Sequence, residues 1–368
     1  MFMLHDTYLI GSESQKRPAN EGETSMSITK LFAAGLIGFS VFSAPAQAEK
    51  LQLYNWGDYI NPEILAEFTT ETGIEVGLDT YASNEEMLAK IQAGATGYDI
   101  IFPSIHMVDI MLNLNLLSKT EINTATDWGN IDPEFLRAKN DPEGSYCMPY
   151  AWGTVGIFYN REKAGGDITT WEEFFAIPDK TGNNITMIDD MREVMAVGLM
   201  ANGYSVNTTD PTEIKTATDW LVERKGAVSA FTYSMPGLFL SGDIAAGQFF
   251  VGLAGAIAED DNLQYVIPTD GATLYEEAMC VLESAPNKEA ARQFMEFMLR
   301  PDISVKNTNQ QFNGSVNIPA RDLVADVIKA NPNVNVSVET MGRLEMFEDV
   351  GKALKAYDRA WNTIRTAD

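Results

Sequence analysis

The sequence predicts an α/β protein built from two lobes. The chain has 368 residues, which at roughly 150 residues per domain suggests two domains. Segments typical of strands and helices alternate from residue 51 to residue 103, as they do in proteins with a parallel sheet. Alternation resumes at residue 153, and no low-complexity linker separates the two halves. We therefore expect strands that cross between the lobes more than once.

The first block has a regular β-α-β-α-β order. Its predicted strands are residues 51–55, 74–81 and 98–103, and its predicted helices are residues 61–72 and 84–93. Pro62 near the first helical position and Gly73 after the last are typical helix boundaries, and Ser83 is a typical N-cap. This order predicts parallel strands joined by helical crossovers.

The second block continues the alternation to the end of the chain. We predict strands at 153–160, 185–188, 249–254, 264–267 and 279–283, and helices at 170–175, 192–202, 211–225, 288–299 and 322–330. Residues 338–364 are predicted to be largely helical. Both blocks therefore belong to the same fold class.

Acidic residues outnumber basic residues two to one, which limits the partners of the chain. There are 52 Asp and Glu residues against 26 Lys and Arg residues, and the formal net charge is -26. Binding to nucleic acid needs a basic surface, and docking on anionic lipid is disfavoured for the same reason. We expect no nucleic-acid partner, and the charge favours a cationic or neutral one.

Residues 1–48 have the pattern of a leader and signal peptide. Lys30 supplies a positive charge, an apolar run follows at 31–42, and Ala46-Gln47-Ala48 is a small-residue cleavage pattern. The apolar run is too short to span a bilayer comfortably. The polar residues 1–20 are unusual before a signal peptide, which favours Met26 as the natural start. We predict that the chain from residue 49 onwards is exported.

Few residues of the exported chain could support catalysis or bind a metal. His106 is its only histidine, which excludes a zinc site built on histidines. Neither a G-x-S-x-G sequence nor a Walker A sequence is present. We expect no catalytic residues, no metal and no cofactor. Two carboxylates alone can serve a glycosidase, so an exported carboxylate-based hydrolase remains an alternative.

Seven short segments occur in the order found in one family of exported binding proteins. They are YNWGDY (54–59), FTTETGI (68–74), SNE (83–85), YDIIFPS (98–104), MPYAWG (148–153), DDMREV (189–194) and LRPD (299–302). With these segments, the chain from residue 51 to about residue 364 resembles the periplasmic spermidine/putrescine-binding proteins of bacterial ABC transporters. The resemblance implies a periplasmic monomer that passes a small cationic ligand to a membrane permease.

The resemblance also implies a type II periplasmic-binding fold, in which two lobes close on a ligand by a hinge motion. The expected first lobe is residues 49–153 plus 278–322, and the expected second lobe is residues 154–277 plus 323–368. The chain would cross between the lobes near Trp152, Glu277 and Arg321.

Eight residues at positions matching the family's site are the candidate ligand-binding residues. They are Trp56, Asp58, Tyr59, Ser104, Asp190, Glu193, Tyr275 and Glu277. Acids and aromatic rings are what a flexible ammonium ligand requires, because each ammonium leaving water must meet a carboxylate or an aromatic face. The alternative for Trp56 is a core position, and the alternative for Asp190 and Glu193 is helix capping.

Part of the family's aromatic site is replaced in this sequence. His106, Asn313 and Phe347 stand where other side chains are common, and the tryptophan expected near Gly255 is absent. We therefore predict a polyamine or a related organic cation. A guanidino compound, a quaternary ammonium compound, an amino acid, an opine and ferric ion are the alternatives.

Cys147 and Cys280 are both in the exported chain, but their spacing does not force them to pair. The resemblance implies that their strands lie side by side and antiparallel. A pair of free thiols is the default expectation, and a disulfide is the alternative.

Overall fold

The computed structural model describes residues 50–367, so the predicted leader and signal peptide lies outside the described residues. The strands are β1 (Lys50–Trp56), β2 (Glu75–Tyr81), β3 (Ile100–Ile101), β4 (Cys147–Asn160), β5 (Ile185–Met187), β6 (Val228–Phe231), β7 (Ala246–Phe250), β8 (Leu263–Val266), β9 (Ala272–Val281) and β10 (Leu344–Glu345). The helices are α1 (Pro62–Thr72), α2 (Asn84–Gln92), α3 (Ile105–Asn113), α4 (Trp171–Phe175), α5 (Ile177–Thr181), α6 (Met191–Ala201), α7 (Pro211–Arg224), α8 (Met235–Leu240), α9 (Lys288–Met298), α10 (Pro301–Gln311), α11 (Ile318–Arg321), α12 (Asp326–Lys329), α13 (Val338–Met341) and α14 (Leu354–Thr366).

All of these strands belong to one mixed sheet with the order β2-β1-β3-β9-β4-β7-β5-β6, with β8 beside β4 and β10 beside β9. At one end, β1 is parallel to β2 and to β3, and at the other end β5 is parallel to β6 and to β7. In the middle, β9 is antiparallel to β3 and β4. The two ends of the sheet are therefore parallel, and antiparallel strands in the middle join them.

The joining strands β4 and β9 are long and run through both halves of the molecule. They pair from Cys147 opposite Cys280 to Val155 opposite Thr273, with a register shift between Pro149 and Ala151. One buried core surrounds the β1–β3 end, and two further cores surround the β5–β8 end. We call the parts around the first core and around the other two cores the first and second lobes. The exact lobe boundaries given above stay a prediction.

Several predicted elements are wrong in type or extent. The strand predicted at 249–254 is instead β7, which begins at Ala246 and ends at Phe250, and residues 251–255 form a 3₁₀ turn. Gly252 packs there so closely on α10 that a Cβ would lie 2.8 Å from the Gln311 carbonyl oxygen. Residues 322–330 contain only the short α12, and residues 338–364 include β10 and irregular segments beside α13 and α14. The helices α3 and α10 were not predicted.

The expectation of free cysteines is also wrong, because Cys147 and Cys280 form a disulfide with an S–S distance of 2.06 Å. The two residues are directly opposed on β4 and β9, and their Cα atoms are 4.5 Å apart. This is the close spacing of an antiparallel pair and lies within reach of a disulfide. The predicted neighbouring strands are thus covalently linked in the first lobe.

No helix between residues 50 and 367 combines the length and the apolar character that crossing a membrane requires.

Candidate functional site

The first-lobe candidates meet where strands end. Trp56 ends β1 and Tyr59 follows it, while Ser104 follows β3. Because β1 and β3 are parallel neighbours, their carboxyl ends lie at the same edge, where α/β proteins usually bind ligands. β9 runs antiparallel along this edge and forms an isolated bridge between Glu277 and Ser104. The fold therefore brings these candidates together.

Glu277 is at the centre of the first-lobe group. Tyr59 Oη donates a hydrogen bond to Glu277 Oε2 at 2.8 Å, and Ser104 Oγ donates to Oε1 at 3.4 Å. Asn84 Nδ2 donates to Ser104 Oγ at 3.0 Å and so fixes the serine. Glu277 is 6% exposed, and burial raises its pKa to about 8, although the two hydroxyl hydrogen bonds oppose the rise.

Trp56 is partly exposed and held by one hydrogen bond rather than enclosed in the core. Its Nε1 donates to the backbone carbonyl of Phe102 at 2.7 Å. Tyr81 Oη donates to the same carbonyl at 2.6 Å, and the Trp56 and Tyr81 ring centroids are 4.6 Å apart. These contacts fix the plane of the indole next to the strand ends that carry Tyr59 and Ser104.

The second-lobe acids have different roles at the start of α6. Asp190 is the N-cap, and its Oδ1 accepts hydrogen bonds from the backbone N–H groups of Arg192 and Glu193 at 2.8 and 3.0 Å. Capping therefore accounts for Asp190. Glu193 does not complete a capping box, because Thr273 Oγ1 on β9 donates to its Oε2 at 2.7 Å. Burial, followed by the nearby Asp190 carboxylate, raises the pKa of Glu193 to about 8.

β9 connects the two acids. Alternation along a strand places Thr273, Tyr275 and Glu277 on one face, with Tyr275 in the middle. Four residues of strand span roughly 13 Å, so the Thr273–Glu193 pair and Glu277 lie at the two ends of a short track. The Tyr275 ring packs on Phe250 with centroids 5.4 Å apart. It also covers Gly153, where a Cβ would lie 2.3 Å from the tyrosine oxygen.

Arg192 lies beside the acids but is bound elsewhere. Its guanidinium donates to the backbone carbonyls of Glu348 and Val206, and to Asn207 Oδ1 at 3.0 Å. Its Cζ also lies 4.5 Å from the centroid of the Phe347 ring. Arg192 is therefore a structural link between α6 and the chain near residue 348.

Asp58 is not brought into this group. It is exposed in the turn after β1, and its φ of 55° places it in the left-handed region that Asp tolerates. His106, at the start of α3, lies 6.3 Å from the Phe347 ring, and burial followed by the nearby Arg192 lowers its pKa to about 4. Between residues 50 and 367, no group of three or more His, Cys, Asp or Glu side chains could hold a metal ion.

Two contributors were not predicted from the sequence. Thr273 holds Glu193, and Phe250 supports Tyr275. Strand alternation extended two residues back from Tyr275 would have indicated Thr273.

The chain is similar to several exported binding proteins. Residues 63–336 match the family of bacterial extracellular solute-binding proteins. The chain is 32% identical over 340 residues to the spermidine/putrescine-binding periplasmic protein of Salmonella typhimurium, covering 91% of this chain and 97% of that protein. It is 31% identical over 361 residues to the putrescine-binding periplasmic protein SpuD of Pseudomonas aeruginosa, with coverage of 91% and 97%.

A solved structure gives the same result for the fold. The substrate-binding protein PotD of a spermidine/putrescine ABC transporter from Streptococcus pneumoniae has a TM-score of 0.76 and 33% identity, covering 87% of this chain and 99% of that chain. The predicted two-lobed, type II periplasmic-binding fold is confirmed by this similarity.

Proposed function

Because the chain belongs to the family of bacterial extracellular solute-binding proteins, we propose that it binds a polyamine, putrescine or spermidine, or a related organic cation. The ligand lies between the two lobes and is handed to the permease of an ABC importer. The protein works in the periplasm, as its relatives do by name, and acts as a monomer.

The pair of buried acids carries this proposal. Glu193 and Glu277 are 5% and 6% exposed. Glu193 lies on α6, whereas Glu277 lies on β9 beside Tyr59 and Ser104. Their hydrogen-bond donors are the neutral hydroxyls of Thr273, Tyr59 and Ser104. A buried carboxylate is costly unless a cation pairs with it, so a ligand with an ammonium group near each acid supplies what the protein does not. Tyr275 between the acids offers a flat face to the methylenes.

The size of the track fits a flexible polyamine. Along β9, Glu277 lies roughly 13 Å from Thr273, the residue that holds Glu193, and a chain of methylenes and amines can bridge such a separation. A compact cation with one charge could pair with only one acid at a time. The geometry therefore favours a ligand that carries at least two ammonium groups.

The other ligand classes have weaker support. An amino acid or an opine needs an arginine for its carboxylate, and all contacts of Arg192 described above go to the protein itself. A glycosidase needs one carboxylate ionised while the other is protonated. Burial raises the pKa of Glu193 and that of Glu277 to about 8 alike, which gives neither acid the role of the ionised partner.

A thermal-shift screen of the purified protein tests the proposal. Ligands that bind only the folded state raise the melting temperature in proportion to the logarithm of their concentration over Kd. We expect clear shifts with putrescine or spermidine, smaller shifts with choline, and none with glutamate. A shift with glutamate and none with any amine would contradict the proposed function.

A further inference from the structure

Three buried amide side chains at and just after the end of α10 reach the ligand site from outside it. They are Asn307, Gln311 and Asn313. Asn307 and Gln311 are four positions apart and therefore lie on one face of α10, of which Gln311 is the last residue. A buried amide is costly unless it is hydrogen-bonded, so the partners of these side chains show what they hold in place.

The α10 side chains hold the short segment 59–61 at both of its ends. Gln311 Nε2 donates to the backbone carbonyl of Tyr59, and Asn307 Oδ1 accepts from the backbone N–H of Asn61 at 3.0 Å. Tyr150 Oη on β4 donates to the same Tyr59 carbonyl and accepts from Asn307 Nδ2 at 2.9 Å. The backbone that carries the Tyr59 side chain is therefore fixed from two other elements.

Asn313, which stands where the resemblance led us to expect a different side chain, orients Gln311. Its Nδ2 donates to Gln311 Oε1 at 2.7 Å, which leaves Gln311 Nε2 to face the Tyr59 carbonyl. Phe312, between the two amides, has a φ of 53°, a conformation that carries a steric cost for a bulky residue. Its ring packs on Gly255, where a Cβ would lie 2.8 Å from the ring. The turn at Phe312 thus lets the two amides meet while the ring enters a buried core.

The segment that α10 holds carries a ligand-site hydroxyl. Tyr59 Oη donates to Glu277 Oε2 at 2.8 Å, and a hydrogen bond to an ionised carboxylate favours that form. Burial, followed by the charge of Glu277, raises the pKa of Tyr59 well above its usual range, so the hydroxyl keeps its proton and stays a donor. We propose that Gln311 is a positioning residue of the ligand site, which holds Tyr59 where its hydroxyl stabilises the Glu277 carboxylate. Asn313 and Tyr150 support Gln311 in this role.

The surroundings of Glu277 make this hydroxyl important. The titratable side chains of the described residues that are close enough for their charge to interact with that of Glu277 are all phenols or carboxyl groups: Tyr59 after β1, Tyr81 of β2, Tyr150 of β4, Glu193 of α6, and Tyr275 and Glu276 of β9. The contacts that oppose the raised pKa of Glu277 are the hydrogen bonds from Tyr59 and Ser104. Displacing the Tyr59 hydroxyl should therefore raise this pKa further and weaken the binding of cations at neutral pH.

The test follows the Glu277 carboxyl group itself, by NMR titration of labelled glutamate side chains without ligand. The resonance is identified by its absence in Glu277→Gln. We expect the titration midpoint to rise by about one pH unit in Tyr59→Phe and by part of that in Gln311→Met and in Tyr150→Phe. The control, Gln310→Met, changes the exposed neighbour on the same helix and should leave the midpoint unchanged. Combining Gln311→Met with Tyr59→Phe should shift it no further than Tyr59→Phe alone, because Gln311 acts through that hydroxyl.

Calorimetry adds the effect on binding, and here the inference rests on the proposed function for its choice of ligands. Near neutral pH, we expect Gln311→Met to bind putrescine and spermidine about twofold to tenfold more weakly than Gln310→Met does. A role in fold stability alone would lower the melting temperature and leave the Glu277 midpoint where it was.

The proposal is overturned if Gln311→Met has the same Glu277 midpoint as Gln310→Met, or if the shifts of Gln311→Met and Tyr59→Phe add up in the double variant. If Gln311→Met does not fold, Tyr150→Phe decides by the same criteria, because it removes a single oxygen atom. If the unsubstituted protein binds neither cation, the proposed function fails, and the NMR titration still tests the positioning role.

Discussion

At the scale of single residues, the site depends on two acids whose partners within the protein are uncharged. Replacing Glu277 or Glu193 by Gln keeps the shape and removes the charge that an ammonium group needs. We expect each change to weaken binding of putrescine or spermidine at least tenfold, because losing one member of a buried charge pair costs about 2–5 kcal/mol. Calorimetry measures this, with Glu63→Gln as the exposed control. Full affinity in both site variants would contradict the cation site.

Trp56 is a residue whose two interpretations can be separated. The Trp56→Ala change should reduce ligand affinity by about twofold to thirtyfold, since an aromatic face over an ammonium contributes about 0.5–2 kcal/mol. Trp56→Phe retains an aromatic face but loses the hydrogen bond to Phe102, and it should retain more affinity. Titration by calorimetry, with melting temperatures of both variants, distinguishes the cases. A lowered melting temperature with normal affinity would assign Trp56 to the core.

At the scale of elements, the sequence predicts a helix or strand correctly where residues within the segment determine its ends. Helix α1 begins after Asn61, whose side chain accepts the Glu63 N–H, and ends at Gly73 with a φ of 76°. Both ends follow from residues within the segment. β4 and β9 were predicted too short, because every residue of β4 before Asn160 is buried and the strand has no polar alternation to mark its length.

In the site, too, single residues could be predicted from the sequence, but contacts between distant residues could not. The acids could be named through the family resemblance, and the carboxyl ends of β1 and β3 indicated where they would meet. The pairing of Glu193 with Thr273 joins residues 80 positions apart, and it depends on how α6 packs against β9. A sequence pattern cannot provide such a contact, because it arises only from the packed fold.

The disulfide between β4 and β9 stabilises the first lobe and leaves the ligand site alone. It closes a loop with a sequence separation of 133 and lies within the first buried core. We expect the double change Cys147→Ala and Cys280→Ala to lower the free energy of unfolding by about 2–5 kcal/mol, measured by urea titration. Ligand affinity should stay within about twofold. A large loss of affinity at full stability would mean that the bridge positions the site.

At the scale of the whole molecule, ligand binding and proton release are coupled. Glu193 and Glu277 are buried, and this burial raises the pKa of each to about 8. With pKa values raised in this direction, the two acids favour their protonated forms at neutral pH. An ammonium group pairs with the ionised carboxylate, so binding must expel these protons.

This coupling predicts how affinity and stability change with pH. Because the folded pKa values are raised above the ordinary value for Glu, the two acids stabilise the fold fully below about pH 4, and this contribution is lost as the pH rises towards 8. Ligand affinity changes in the opposite direction and should rise by up to about tenfold per pH unit for each acid, levelling off above pH 8.

Calorimetry in two buffers of different ionisation enthalpy counts the released protons. We expect one to two protons at about pH 6.5, and fewer in Glu193→Gln and in Glu277→Gln. An affinity that is flat between about pH 6 and pH 8, with no buffer dependence, would show that both carboxylates are already ionised before the ligand arrives.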